Sequence, residues 1–313
     1  MMLRTLEVTI VALLSLGWCG PFAFAAEDAK RNTPVKVVRY EDFGARGDGK
    51  TDDTTAIARA HAFANQHGLP VQANENATYY IGRQDNTAVV QTDTDFGKAR
   101  FIIDDTDVAN SQAHVFVVRS ALSPVRPKGI ASLKAGQSKI NVALPGRCVV
   151  CVTDSGAKRY IRRGLNQNNG SSQTDVFLVD KNGNVDANTA ILWDFDRVSQ
   201  IVAYPVDEKS LKITGGRFTT KANTAESKYT YYARGIGIRR SNVVIDGLEH
   251  RVIGEGDHGA PYGGFINISD CAEVTVRNTT LSGRKTSYTI GSAGKPVSMG
   301  TYDITVTRAL NVS

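Results

Sequence analysis

The sequence has 313 residues, 41% hydrophobic and 22% charged, with a formal net charge of +6 at pH 7. That is long enough for a sizeable core and too apolar for a disordered chain. The basic excess is mild and no lysine or arginine run occurs, so no nucleic-acid partner is expected; an acidic polymer, or simply a solvated mixed surface, suits this balance.

In chain order, residues 1–25 read as a secretory signal peptide. Arg4 is a short basic start, Val8 to Leu16 is an apolar stretch too short to span a bilayer, and Ala23-Phe24-Ala25 is a small-x-small cleavage site. The expected location is secreted or periplasmic, with no membrane association after cleavage. Cys148, Cys151 and Cys271 then remain, an odd number. Cys148 and Cys151 lie in the apolar run INVALPGRCVVCV, where a strand points them to opposite faces. They read as buried small hydrophobes or, for one pair of the three, a disulfide.

Next comes YEDFGARGDGKTDDTTAIARAHAFANQHGLPV, Tyr40 to Val71. Its turn residues precede a single helical pattern. Thr51 is the expected N-cap, with Asp52 and Asp53 in a first turn where the helix dipole favours negative charge. Ile57, Ala60, Phe63 and Ala64 fall on one face, and His67-Gly68 followed by Pro70 stops the helix, which is predicted over 52–67.

These residues resemble the N-terminal signature of the pectate lyase superfamily, the rhamnogalacturonase/epimerase-type β-helix domain. The signature reads D-[FY]-G-A-x-G-D-G-x-x-D-D-T-x-A-[IL]-x-x-A, and Asp42 to Ala60 match every fixed position. Downstream, Thr78-Tyr79-Tyr80-Ile81 is kept, while Asn74-Glu75-Asn76 stands where members usually carry Pro-x-Gly. The resemblance implies an all-β, right-handed parallel β-helix (pectin lyase-like) with an N-terminal capping α-helix. It places one domain over 36–313. It implies little about chemistry, because the aspartates and glycines of the signature build the cap.

A β-helix needs a repeat. Paired short alternating strands recur at Tyr204-x-Val206 with Leu211-x-Ile213, Ile236-x-Ile238 with Val243-x-Ile245, and Ile266-x-Ile268 with Val274-x-Val276. Ile304-x-Val306 opens a last unit that stops at Val312-Ser313, from which a truncated C-terminal end is expected. Alternation turns the aliphatic residues inward. The middle, 90 to 200, is strand-rich without a period and is expected to hold an irregular insertion or early coils. Asp180 to Asn184 reads as a hairpin turn.

The resemblance implies a carbohydrate-active protein whose cargo is an extended polysaccharide. It leaves open a glycoside hydrolase, which needs paired carboxylates, a polysaccharide lyase with a Lys or Arg base and calcium, and a non-catalytic glycan-binding, tail-spike- or adhesin-like module. It leaves monomer and trimer both open. The best local candidate is the loop VIGEGDHGAPYGG, in which Glu255 or Asp257 is the candidate acid, His258 its orienting partner, and Tyr262 a residue to stack on a sugar. Arg284 and Lys285, in SGRKTSYTIGSAGKPVSMGTYD, are candidates for binding acidic sugars. In ILWDFDR, Trp193 is a further sugar-binding candidate, and Asp194 with Asp196 would share one face of a strand, as a calcium site requires. The bland alternative in each case is a solvated polar loop.

Overall fold

The computed structural model describes residues 37–313 except 83, 161–169, 227–230, 257–258, 284–285 and 291–293. The expected signal peptide lies outside the described residues. Ahead of the middle region come β1 (Asp48–Asp52), α1 (Thr54–His67), β2 (Val71–Gln72), β3 (Thr78–Ile81), β4 (Ala88–Val90), β5 (Thr94–Asp104) and β6 (Phe116–Arg119). The middle holds β7 (Cys148–Tyr160), β8 (Ser171–Val179) and β9 (Gln200–Pro205). Then follow β10 (Leu211–Lys221), β11 (Ile236–Arg239), β12 (Val243–Asp246), β13 (Glu249–Ile253), β14 (Gly263–Arg277), β15 (Thr286–Ile290), β16 (Pro296–Gly300) and β17 (Tyr302–Val312).

Twelve of these strands form one sheet in which every pairing is parallel and every neighbour is a coil away in sequence. That pattern is a parallel β-helix, and its three faces follow from the register. One face stacks Ala88, Phe116, Ile236, Ile266 and Ile304 in a single column. A second stacks Leu211, Val243, Val274 and Val312. The third stacks Tyr79, Phe101, Phe218 and His250. The inward aromatics of the lower coils touch: Phe101 and Phe218 lie 4.7 Å apart with rings nearly parallel, and Phe96 meets Phe218 edge-on at 5.5 Å. Burial of these columns is the main source of stability.

The first two faces meet at tight corners, where non-glycine residues adopt left-handed backbone: Asn242, Asp270, Glu273, Arg308 and Asn311. The second and third faces meet at another sharp bend. Gly215 there, at φ +66°, would place a Cβ only 2.3 Å from the Gly97 carbonyl of the coil below, so only glycine fits. The long connections between the third face and the first begin after Ile81, Asp104, Lys221, Ile253 and Thr280. All of them therefore emerge along one edge of the helix.

The signature residues build the cap. Asp53, not Thr51, precedes the helix; Thr51 lies in β1. Asp53 carboxylate oxygens accept the N–H groups of Arg46 and Gly47 at 2.7 and 3.1 Å. Asp52 accepts from the Thr54 N–H and hydroxyl, and Asp48 from Lys50 and Thr51. These bonds close an otherwise unsatisfied backbone. Ala56, Ile57, Ala60, His61 and Ala64 are buried, while Phe63 is half-buried against Phe43 and His67. Asn65 donates to the Val89 carbonyl at 2.7 Å and accepts the Gln91 N–H at 3.0 Å, so one side chain bonds the edge of β4 as a further strand would. The helix is a plug on the first coil, and His61 reaches through it to Phe116, ring centroids 5.8 Å apart.

The middle region corrects one unit of the expected repeat. Tyr204-x-Val206 is not a rung: Tyr204 lies in β9, which pairs antiparallel with β7, as does β8 on its other side. The described residues between Arg119 and Leu211 form an insertion that replaces the short corner joining the first and second faces in other coils. It has its own core around Leu133, Val150, Phe177, Val179 and Phe195. The other side of its sheet rests, through Val149 and Leu178, on Ala272 and Leu310 of the helix. Cys148 and Cys151 point to opposite sides of β7, and Cys148, Cys151 and Cys271 are all free thiols. The expected Asp180–Asn184 turn is present; Asp180 accepts the N–H groups of Asn182 and Asn184. At the other end of the stack, Ile304 and Val306 of β17 are 40% and 48% exposed.

Candidate functional site

The third face carries a groove. Outward positions on parallel strands stack as regularly as inward ones, so the register sets Arg100, Arg217 and Glu249 in one row and Ile102, Thr219 and Arg251 in the next. Asp104, Lys221 and Ile253 follow where the strands end. A cavity of about 420 Å³ is lined by Arg100, Arg217, Thr219, Glu249 and Arg251 of the first two rows, and reaches Thr280 and Ser282 of the next coil. Arg217 and Glu249 form an exposed pair at 3.4 Å, and Arg251 Nε donates to the Thr219 hydroxyl at 3.3 Å. Three guanidinium groups against one carboxylate leave this floor basic, with the hydroxyls of Thr219, Thr280 and Ser282 also on its lining.

At the strand ends, Asp104 is locked as a carboxylate. Burial alone raises its pKa, but hydrogen bonds from Thr106 and from the Tyr80 hydroxyl at 2.7 Å outweigh that and hold it at about 2. The Lys221 ammonium sits 3.4 Å from it and over the Tyr80 ring. Its neighbour Asp105 turns inward and pairs with Arg234 at 2.8 Å, with both side chains at most 2% exposed. Burial pushes the Asp105 carboxyl up, against the pull of Arg234, to about 7. Arg234 also donates to the carbonyls of Asp104 and Gly82. One guanidinium therefore ties the connections after Ile81, Asp104 and Lys221, which belong to three successive coils. Asn223 adds a second rivet: its amide bonds both N–H and C=O of Ala260, and its backbone N–H donates to the Tyr262 hydroxyl at 2.9 Å.

The sequence-predicted residues fall as follows. Glu255 is half-buried on the long-loop edge, near enough to Tyr262 to help raise its pKa, although burial is the main cause. Tyr262 is 8% exposed, an interior residue that fastens two loops rather than an open face for a sugar. Asp257, His258, Arg284 and Lys285 lie outside the described residues. The segment expected to be a plain loop around Arg284 and Lys285 carries an antiparallel hairpin, β15 with β16. Trp193 sits on the insertion, not the loop edge, 40% exposed with the Arg159 guanidinium 4.2 Å from its ring centroid. Asp194 and Asp196 are not on a strand, and they hold the Lys134 ammonium, at 3.4 and 3.1 Å, rather than sharing a strand face as a calcium site requires. No cluster of three or more His, Cys, Asp or Glu is arranged to hold a metal among the described residues.

Sequence reading missed Arg100, Arg217, Arg251 and the Asp105–Arg234 pair. The arginines were legible in principle: once the rungs are aligned, they are the polar partners in the alternation. The buried pair carries no such signal.

No protein-family model matches the chain, and no characterised protein matches it in sequence. Among solved structures it is similar to the tailspike gp61 of Pseudomonas phage phi297, at 12% identity and a TM-score of 0.44, over 80% of this chain and 49% of that one. It is also similar to PfbA, a surface adhesin of Streptococcus pneumoniae, at 18% identity and a TM-score of 0.39, over 79% and 39%. A third is the Family 28 exopolygalacturonase of Yersinia enterocolitica, at 16% identity and a TM-score of 0.28, over 88% and 49%. The chain thus spans half or less of the length of these proteins. The strand register alone defines the class: a helix-capped parallel β-helix, the architecture that the signature at Asp42–Ala60 implies, here with a β-sheet insertion.

Proposed function

We propose that the chain is an exported protein that binds an extended, acidic polysaccharide along the outer face of β5, β10 and β13 and cleaves it at the long-loop edge. The observation that supports this reading best is the in-register outward row of Arg100, Arg217 and Glu249, with Arg251 beside it. Charges repeat there at the rung spacing of about 4.8 Å, a periodic floor for a linear polymer. Guanidinium groups match carboxylates in a bidentate way, which favours uronate or sulfated sugars. Glu255 stands where that floor meets the loops, and Asp257 is two residues further along the same loop. Two carboxylates flanking one bond are what glycoside hydrolysis requires. Location outside the cell rests on the sequence of residues 1–25.

The test is a panel of acidic and neutral polysaccharides incubated with the purified chain. New reducing ends are expected with an acidic polymer. Glu255→Gln and Asp257→Asn are each expected to lower the rate by about 100-fold or more while circular dichroism stays unchanged. An unsaturated product absorbing in the ultraviolet would make the chemistry elimination instead. Saturable binding without any cleavage would make the chain a recognition module.

A further inference from the structure

The root of the insertion carries a second concentration of positive charge that the groove does not use. Where other coils turn a short corner, the chain leaves the helix after Arg119 and returns at Leu211. The departing segment Ser120–Pro124 and the returning residues Tyr204 and Pro205 line a cavity of about 420 Å³ at the corner. It opens beside a larger cleft of about 1200 Å³ with which it shares Leu122 and Arg240.

Arg119 and Arg239 line the smaller cavity. They are exact partners on neighbouring rungs, and both are exposed. Neither makes an ion pair or hydrogen bond among the described residues. Like charges directly opposite each other across strands are destabilising, so an uncompensated arginine pair costs stability unless an anion sits between them. Beneath them Arg240 is largely buried, held by Asp207 at 3.2 Å, and its Nε has no hydrogen-bond partner. Asp270 is the one carboxylate lining the cavity, and Arg308 neutralises it with two bonds, at 2.6 and 2.9 Å. The hydroxyls of Ser123 and Tyr204, also on the lining, have no partner among the described residues.

We propose that this cavity is a second, anion-selective glycan site, which takes a carboxylate- or sulfate-bearing sugar residue between Arg119 and Arg239. The volume suits one or two sugar rings. The paired guanidinium groups suit a planar or tetrahedral anion, and the free hydroxyls suit a sugar rather than a bare ion. The inference rests on the reading of the chain as a polysaccharide-active protein only for the choice of sugar as carrier of the anion. The site would let the insertion hold a distant part of the same polymer that the groove engages, raising local concentration at the cleavage edge.

Calorimetric titration of the full chain tests it, with an oligouronate, a sulfated oligosaccharide of equal length, a neutral oligoglucoside and sodium sulfate as probes. The titration is repeated on the R119Q/R239Q and R217Q/R251Q variants. At least one anionic oligomer is expected to bind the wild type and the groove variant. R119Q/R239Q should weaken that tight phase about tenfold or more, with circular dichroism unchanged because both residues are exposed. Equal binding by wild type and R119Q/R239Q overturns the proposal, as does the absence of any binding. Sodium sulfate or the neutral oligomer binding as tightly as the anionic one also overturns it, leaving a simple anion site or an unselective one. If polysaccharide cleavage is never seen but the R119Q/R239Q-sensitive binding persists, the function proposed above fails and this site stands.

Discussion

Replacing Arg234 by Met is expected to destabilise the protein by about 3–5 kcal/mol, the typical cost of removing one partner from a buried ion pair. Arg234 sits at 4% exposure, and its loss strands Asp105 at 1% exposure together with the carbonyls of Asp104 and Gly82. Each orphaned group keeps the full cost of its desolvation. Because those groups belong to three coils, loss of order should begin at the long-loop edge rather than in the aliphatic columns. Denaturant unfolding measures the effect. The double variant R234M/D105L should recover much of the loss, since it removes the stranded charge as well. Equal stability of R234M and wild type would mean that the pair is open to water and does not fasten the edge.

The second large effect concerns acid. His61 and His250 are buried, and desolvation lowers the pKa of each from 6.5 to about 3. His61 Nε2 lies 3.0 Å from the Tyr40 hydroxyl, and His250 is stacked on Phe265 with its Nε2 2.9 Å from the Thr220 hydroxyl. The Nδ1 atom of each ring has no partner. Below pH 6.5 the unfolded chain takes up a proton at each histidine and the folded chain does not, so stability falls as pH drops from about 6.5 towards about 3. Asp105 acts in the opposite direction. Its folded pKa of about 7, against 3.8 ordinarily, adds stability that is full below pH 3.8 and is lost as pH rises to about 7. A single-residue comparison separates these contributions. Relative to H61F, the wild type should lose about 1.4 kcal/mol per pH unit across that window, on the order of 5 kcal/mol in all. Stability–pH curves of wild type and H61F that run parallel would show that His61 is hydrated or charged in the fold.

The parts of the fold that were legible in sequence are those where local chemistry and global position coincide. Asp48, Asp52 and Asp53 satisfy backbone within a few residues of themselves, so their pattern survives in sequence as a signature. Ile236, Ile266 and Ile304 were legible because a column of identical environments selects similar side chains. Tyr204-x-Val206 misled for a physical reason: a strand alternates with period two whether its neighbours are parallel or antiparallel. The insertion hides for the same reason, and its replacement of a short corner shows only in the register. The candidate site was legible in part. A glycine-rich loop with acids marks Glu255 as lying at a backbone edge, whereas the burial of Tyr262 and the pairing of Asp105 with Arg234 depend on contacts more than a hundred residues apart in one case. Trp193, a sugar-binding candidate in the sequence, lies on the insertion, and no local pattern told which part of the molecule would carry it.

The central claim is that an extended glycan lies on the outward rungs of the third face, next to the long loops. Amide hydrogen exchange of the full chain, with and without the polysaccharide that the panel selects, tests it most directly. Slower exchange is expected in peptides covering 100–107, 217–226 and 249–256, which carry Arg100, Arg217, Arg251 and Glu255. Protection confined to the insertion, or exchange unchanged in all three peptides at saturating polymer, would contradict it.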